Sequence, residues 1–170
     1  MKTGFIVPAR SKDAIYGIAD FVRRHFAPMI RGDYVPIDKI YELMPTAMPG
    51  FNLEVCDEDE LGGDHGQTFP DERVIKLRTD VYNGMCRGQG RDRFTAAHEL
   101  GHLFLHGGVG FARRPSSPRV KRYLDSEWQA DTFASAFLID AARLPKHDSV
   151  MSVAAAFGVS HDAARVRFQK

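Results

Sequence analysis

Residues 91–106 read RDRFTAAHELGHLFLH and contain three histidines, His98, His102 and His106, each four residues from the next. Apolar residues at helical spacing surround them, which predicts one buried α-helix that begins near residues 91–93 and runs through His106. The pair Gly107-Gly108 follows, as is typical after a helix C-terminus. This helix is predicted to lie at the centre of the fold. Its three histidines raise the question of how many of them bind one metal ion.

Residues 98–102 read HELGH, which is an HExxH motif on the predicted helix. Residues four apart lie one above the other on a helix face, so the imidazoles of His98 and His102 can converge on one zinc ion. Glu99 lies at the edge of that face, where it can act on water instead of binding the metal. The alternative is a pair of hydrogen-bonded core histidines, because a buried imidazole without a partner is costly.

His106 does not fit as a third ligand of the same ion. It lies about 12 Å from His98 along the helix axis at 1.5 Å per residue, whereas zinc–nitrogen bonds are about 2 Å long. The longer HExxHxxGxxH pattern would need Gly and His where the chain has Leu105 and Gly108. We interpret His106 as a packing or hydrogen-bonding residue at the helix end, with a substrate-facing role as the alternative.

A third ligand is expected from the next strong helix, where Glu127 follows His102 by 25 residues. If the two helices pack antiparallel, this carboxylate completes a His2Glu site of the kind that holds catalytic zinc. Asp131 lies one turn further on the same face, where it can accept the outer N–H of a ligand imidazole. Asp125 is the rival ligand, although it lies at a predicted N-cap. The alternative for Glu127 is a solvated surface carboxylate.

Composition excludes several classes of protein. The chain has 170 residues with 44% hydrophobic residues, enough for one domain, or one domain with a small appendage, without disulfides. Its net charge of +1 does not favour direct binding to nucleic acid or membranes. Cys56 and Cys86 form no CxxC motif, which argues against a redox pair or a cysteine zinc knuckle. No signal peptide or membrane helix is predicted, so we expect a cytoplasmic protein.

Periodicity predicts an α+β fold, with a helical body, a small antiparallel sheet of about three strands on one side, and a C-terminal helical hairpin. Residues 1–145 are predicted to form one domain that carries the HExxH helix, and residues 146–170 a helix-turn-helix-like pair packed on it. Residues 83–91 are predicted to form a flexible loop. The predicted helices are 11–26, 36–44, 91–106, 125–143, 148–157 and 161–169, and the predicted strands are 51–56, 67–69 and 74–77.

The two motif helices resemble the ImmA/IrrE family of metallopeptidases. The resemblance extends over about residues 35–168, and Asp140 departs from it where the family often has Pro. The matching residues of the first helix are Arg91, Phe94, Thr95, His98, Glu99, Leu100, Gly101 and His102. Those of the second are Glu127, Ala130, Asp131, Phe133, Ala134, Phe137, Leu138 and Ile139.

This resemblance implies a gluzincin-like zinc endopeptidase that cleaves a helix-turn-helix transcriptional repressor, often encoded nearby on a phage or mobile element. In that chemistry Glu99 takes a proton from the attacking water and delivers it to the leaving amine. The oxyanion needs a further donor, for which Tyr123, Arg122 and His106 are the candidates. The strand at 74–77 either binds an extended peptide by edge pairing or is an ordinary sheet strand.

Residues 154–164 raise a rival interpretation, because AAAFGVSHDAA fits a helix-turn-helix followed by the basic residues Arg165, Arg167 and Lys170. That pattern would make the protein a non-proteolytic regulator that binds DNA or a partner and keeps its metal only for structure. The near-neutral charge favours a helical hairpin that packs on the catalytic domain instead.

Overall fold

The computed structural model describes residues 4–109, 112–113 and 121–168. It confirms an α+β fold in which helices dominate and a small sheet lies on one side. The helices are α1 (Lys12–His25), α2 (Ile37–Ala47), α3 (Thr79–Cys86), α4 (Gly90–Leu105), α5 (Ser126–Leu138), α6 (Val150–Phe157) and α7 (His161–Phe168). The strands are β1 (Phe5–Ile6), β2 (Asn52–Cys56), β3 (Gly66–Phe69), β4 (Val74–Arg78) and β5 (Ala112–Arg113).

The three-stranded sheet has the order β2-β4-β3 and is mixed, whereas the sequence predicted an antiparallel one. β3 and β4 form the expected antiparallel hairpin, but β4 then inserts beside β2 and runs parallel to it. The central place of β4 explains why Ile75 and Leu77 are completely buried. Because both sides of β4 are already paired, the structure favours the ordinary sheet strand over edge pairing of a peptide at residues 74–77.

Helix α3 replaces part of the loop predicted over residues 83–91. The pair Asn83-Gly84 indicated a turn, yet Gly84 is buried where the chain around Gln89 and Asp92 crosses it. A Cβ at Gly84 would collide with the side chain of Asp92, so this glycine serves close packing instead of a turn. Helix α4 then begins at Gly90, within three residues of its predicted start.

The pair α4 and α5 forms the centre of the molecule, and Gly101 lets the two helices approach closely. A Cβ at Gly101 would lie only 3.1 Å from the backbone of Ala130 and 3.2 Å from the Cβ of Phe133. The crossing buries Leu100 and Phe133 completely in one continuous hydrophobic core. Because α4 and α5 cross at this short distance, side chains on their facing surfaces can meet.

The turn between α6 and α7 packs on the first turn of α4. Gly158 adopts φ 61° there and lies against the ring of Tyr34, where any Cβ would clash. Arg93 is fully buried beside it, stacked 3.7 Å from the Tyr34 ring and donating to the carbonyls of Val35 and Phe157. The predicted C-terminal helical pair is confirmed and packs directly on the helix that carries HExxH.

The N-terminal segment runs along the start of α5. Val7 N–H donates to the carbonyl of Leu124, and Arg10 N–H donates to that of Tyr123.

In the described part of the chain, no helix combines the length and the apolar character needed to cross a membrane. Cys56 and Cys86 are both free thiols.

Candidate metal centre

Three side chains from α4 and α5 bring their ligand atoms together. His98 and His102 lie one turn apart on α4, with 3.0 Å between their Nε2 atoms. Glu127, in the first turn of α5, places one carboxylate oxygen 3.4 Å from each of these nitrogens. The side chains are 11%, 13% and 23% exposed, so the cluster lies just beneath the surface. Among the described residues, this is the one group of three His, Cys, Asp or Glu side chains whose ligand atoms all lie within 4.8 Å of one another.

The geometry of this cluster fits a zinc ion. Zinc bonds to imidazole nitrogen and carboxylate oxygen are about 2.0–2.2 Å long, so tetrahedral ligand atoms lie about 3.3–3.5 Å apart. The two carboxylate–nitrogen distances of 3.4 Å match that spacing, and the nitrogen–nitrogen distance of 3.0 Å requires only a small outward movement. Two neutral imidazoles and one carboxylate also form the donor set of catalytic zinc sites, which leaves a fourth position for water.

Asp131 supports His98 from outside the cluster. Its Oδ1 lies 2.8 Å from Nδ1 of His98, one helical turn after Glu127. Burial disfavours the charged imidazole, but the hydrogen bonds to Asp131 and Glu127 outweigh burial and raise the pKa of His98 to about 9. Burial raises the pKa of Glu127, yet the hydrogen bonds to His102 and His98 prevail and hold it well below its ordinary value. In the metal-free protein, these contacts therefore favour the protonated imidazole of His98.

His106 supports His102 in a different way. The two Nδ1 atoms lie 3.0 Å apart, and Nε2 of His106 lies 3.2 Å from Oε1 of Gln129. His106 is 1% exposed and Gln129 is fully buried. Burial, with a smaller contribution from nearby His102, lowers the pKa of His106 to about 4. Both ring nitrogens thus face protein groups, which favours the hydrogen-bonding interpretation of His106 over a substrate-facing one.

Glu99 lies beside the cluster and contacts strand β3. The hydroxyl of Thr68 lies 2.7 Å from Oε2 of Glu99 and donates to it. Gly66 faces the same carboxylate, and a Cβ there would lie only 2.9 Å from Cγ of Glu99. Glu99 is buried, and its charge is one of the factors that raise the pKa of His98. The arrangement holds a buried carboxylate next to the potential metal ligands.

The remaining predicted residues lie on the segment before α5. Asp125 is the N-cap of this helix, and its carboxylate accepts from the backbone N–H of Glu127, so it takes the capping role and not the ligand role. Arg122 and Tyr123 lie on an exposed turn, and the backbone carbonyl of Tyr123 accepts from Gln129. Donation by either side chain to an oxyanion stays a prediction.

Sequence reasoning missed Thr68 and Gln129. Thr68 lies in a short strand 31 residues before Glu99, and no motif connects the two. Gln129 lies between Glu127 and Asp131 on α5 and faces the core, as its complete burial shows. A glutamine among the buried positions of a mostly apolar helix was the one signal available, because a buried amide requires partners.

The comparisons with known proteins point to one family. A family model described as the IrrE N-terminal-like domain, Peptidase_M78, matches residues 81–169, which is more than half of the chain. The match includes both motif helices and the C-terminal hairpin. The resemblance inferred from the sequence is confirmed for this region, while residues 35–80 lie outside the match. No curated protein matches the chain.

Proposed function

The chain belongs to the Peptidase_M78 family, and we propose that it is a zinc-dependent endopeptidase. The observation that supports the proposal most directly is the meeting of His98, His102 and Glu127, with Glu99 beside them. Two imidazoles and a carboxylate would hold the ion, while a second, separately held carboxylate remains for proton transfer. A purely structural site would not need that second group, and structural zinc sites are usually closed by four protein ligands.

A bound zinc ion would supply a Lewis acid for the scissile carbonyl and lower the pKa of water. The protein's own contribution is proton transfer and orientation. Glu99 would accept the proton of the attacking water at its carboxylate and then donate it to the leaving amine. The hydroxyl of Thr68, which donates to Oε2, keeps this carboxylate turned toward β3. The cap from Asp125 stabilises the first turn of α5 and so positions Glu127.

Strand β3 offers a place for the substrate chain. Within the described residues β3 pairs on one side only, with β4, and its residues Gly66 and Thr68 contact Glu99. An extended peptide added at this outer strand would place its backbone along the cluster, as in recognition by strand addition. Because Gly66 has no side chain, the carboxylate of Glu99 can lie directly against β3 and close to such a peptide.

We further propose that the substrate is a helix-turn-helix transcriptional repressor in the cytoplasm, and that cleavage relieves repression on a phage or mobile element. The family relationship supports this choice of substrate. Direct binding to nucleic acid is not part of the proposal, since the helical pair α6–α7 uses its turn to pack on α4.

The test is co-expression with helix-turn-helix repressors encoded in the same genome, those near its gene first, comparing the wild type with Glu99→Gln. Glutamine keeps an oxygen that can accept from Thr68, so the fold and the bound zinc should remain while general base catalysis is lost. We expect cleavage to fall by about 100- to 10,000-fold. The matched control is Glu42→Gln, an exposed glutamate of α2 that pairs with Lys39, and it should cleave like the wild type.

Full biological activity of Glu99→Gln would contradict the proteolytic function. The alternative, a non-proteolytic regulator with a structural metal, would then become the better description. Intact repressor in the presence of wild type with one zinc per chain would contradict the choice of substrate.

A further inference from the structure

The side-chain amide of Gln129 has an orientation that its neighbours determine. Its nitrogen lies 2.9 Å from the carbonyl oxygen of Pro8 and 2.8 Å from that of Tyr123. Both neighbours can only accept, so the two amide hydrogens must point to them. The amide oxygen consequently faces the opposite direction, toward the ring of His106.

This orientation determines the tautomer of His106. Nε2 of His106 lies 3.2 Å from the amide oxygen of Gln129, which can only accept, so Nε2 must carry the hydrogen. On the other side of the ring, Nδ1 of His106 lies 3.0 Å from Nδ1 of His102, where one ring must accept if the other donates. A neutral ring with its hydrogen on Nε2 presents a lone pair at Nδ1.

The position of the hydrogen on His102 follows from its contact with His106. Its Nδ1 lies 3.0 Å from Nδ1 of His106, and only one of these two atoms can donate. Because His106 presents a lone pair there, His102 must carry its hydrogen on Nδ1. With zinc bound, Nε2 of His102 would present its lone pair to the ion in place of its contact with Glu127, and hydrogen on Nδ1 is the tautomer that allows this.

We propose that Gln129 and His106 are positioning residues that select the metal-binding tautomer of His102. They form a directed series of hydrogen bonds from two backbone carbonyls, through the amide and the second ring, to the ligand. The inference rests on the proposed zinc site and adds a role for two residues that do not touch the metal. Water cannot easily replace either group, since Gln129 is fully buried and His106 nearly so.

The test measures zinc affinity by competition with a chromophoric chelator for the wild type, His106→Leu and His106→Asn. Leucine removes the acceptor for Nδ1 of His102, and we expect zinc affinity to fall by about 10- to 100-fold, as for other partners of metal-bound histidine. The amide oxygen of asparagine lies near the position of Nδ1 and can accept, so His106→Asn should recover most of the affinity. Leu103→Ala, which opens the core on the same helix, is the control for general loss of stability.

The second measurement reads the tautomer directly. Nitrogen-15 NMR of histidine-labelled wild type should show hydrogen on Nδ1 of His102 and on Nε2 of His106. Hydrogen on Nε2 of metal-free His102 with Nδ1 bare would overturn the inference even if His106→Leu failed to fold. So would a folded His106→Leu with unchanged zinc affinity, although the proposed function would stand. A wild type that binds no zinc would overturn both.

Discussion

The two histidines of the metal centre are supported from opposite sides by different chemistry. His98 is held by the carboxylate of Asp131, whose side chain is 60% exposed. His102 is held by His106 and Gln129, which are uncharged and buried. Both supports accept a hydrogen from Nδ1 and leave Nε2 for the metal. An exposed carboxylate and a buried neutral ring therefore select the same tautomer.

The difference follows from where each support lies. A carboxylate at the surface remains solvated, so Asp131 can offer its charge at little cost. A carboxylate in the position of His106 would be buried, and burying a charge without a paired cation is expensive. A neutral acceptor fixed by backbone carbonyls avoids that cost. We therefore expect the support from Asp131 to be replaceable by water and sensitive to pH. The support from His106 should depend on the packing of the core.

The largest effect should come from the ligand that both sides share. Glu127→Ala removes a carboxylate that lies 3.4 Å from both nitrogens, and zinc affinity should fall by more than the roughly 100-fold upper range of a supporting partner. Chelator competition measures it. Asp125→Ala is the matched control, since it removes the cap at a cost of about 1 kcal/mol in stability and leaves the ligand. Loss of zinc in the control alone would make Asp125 the ligand.

The next effect is a wide separation of two histidine titrations in the metal-free protein. NMR should find the pKa of His98 near about 9 and that of His106 near about 4. His98 then stabilises the fold fully below its ordinary pKa of about 6.5, and this contribution is lost as pH rises through about 9. His106 contributes above pH 6.5, and its contribution is lost as pH falls toward about 4. Unfolding of the metal-free protein at several pH values checks both directions, and similar pKa values for the two rings would remove the contrast.

A smaller effect is expected for the exposed support. Asp131→Ala should lower zinc affinity by about tenfold, the weak end of the range for such partners, because water can take the place of the carboxylate. His106→Leu should cost more, since no water replaces a buried acceptor. Equal losses in the two variants, measured by the same competition, would show that exposure does not distinguish the two sides.

The smallest change in zinc binding should follow from Gly101→Ala. The added methyl would meet the backbone of Ala130 at 3.1 Å, and α4 and α5 must separate by a few tenths of an ångström. We expect about 1–3 kcal/mol lower stability, as for other overpacked cores, and a few-fold weaker zinc binding that affects both sides alike. Gly17→Ala is the control, because that glycine has open space around it. Unchanged stability of Gly101→Ala would show that the helix crossing is not tight.

Local patterns predicted the helices better than they predicted the sheet. The caps, glycines and apolar spacing of α1, α5, α6 and α7 are properties of neighbouring residues, and those helices begin within two residues of where the pattern placed them. The predicted end of α5 at Arg143 was wrong, because the helix stops at Leu138. Strand β4 was assigned to an antiparallel sheet, because sequence shows that β3 and β4 form a hairpin but not that β2 pairs with β4. Helix α3 was not predicted, because Asn83-Gly84 is a typical turn sequence. Only the structure shows that Gly84 packs against the side chain of Asp92.

The sequence alone places His98 and His102 on one face, since a helix repeats every 3.6 residues and fixes which side chains lie together. It also determined that His106 lies too far along the axis for the same ion. The meeting of Glu127 with these histidines depends on packing, because it requires the close crossing of α4 and α5 at Gly101. The tertiary structure also brought Thr68 to Glu99 and Gln129 to His106, since hydrogen bonds between distant segments follow from packing and not from spacing.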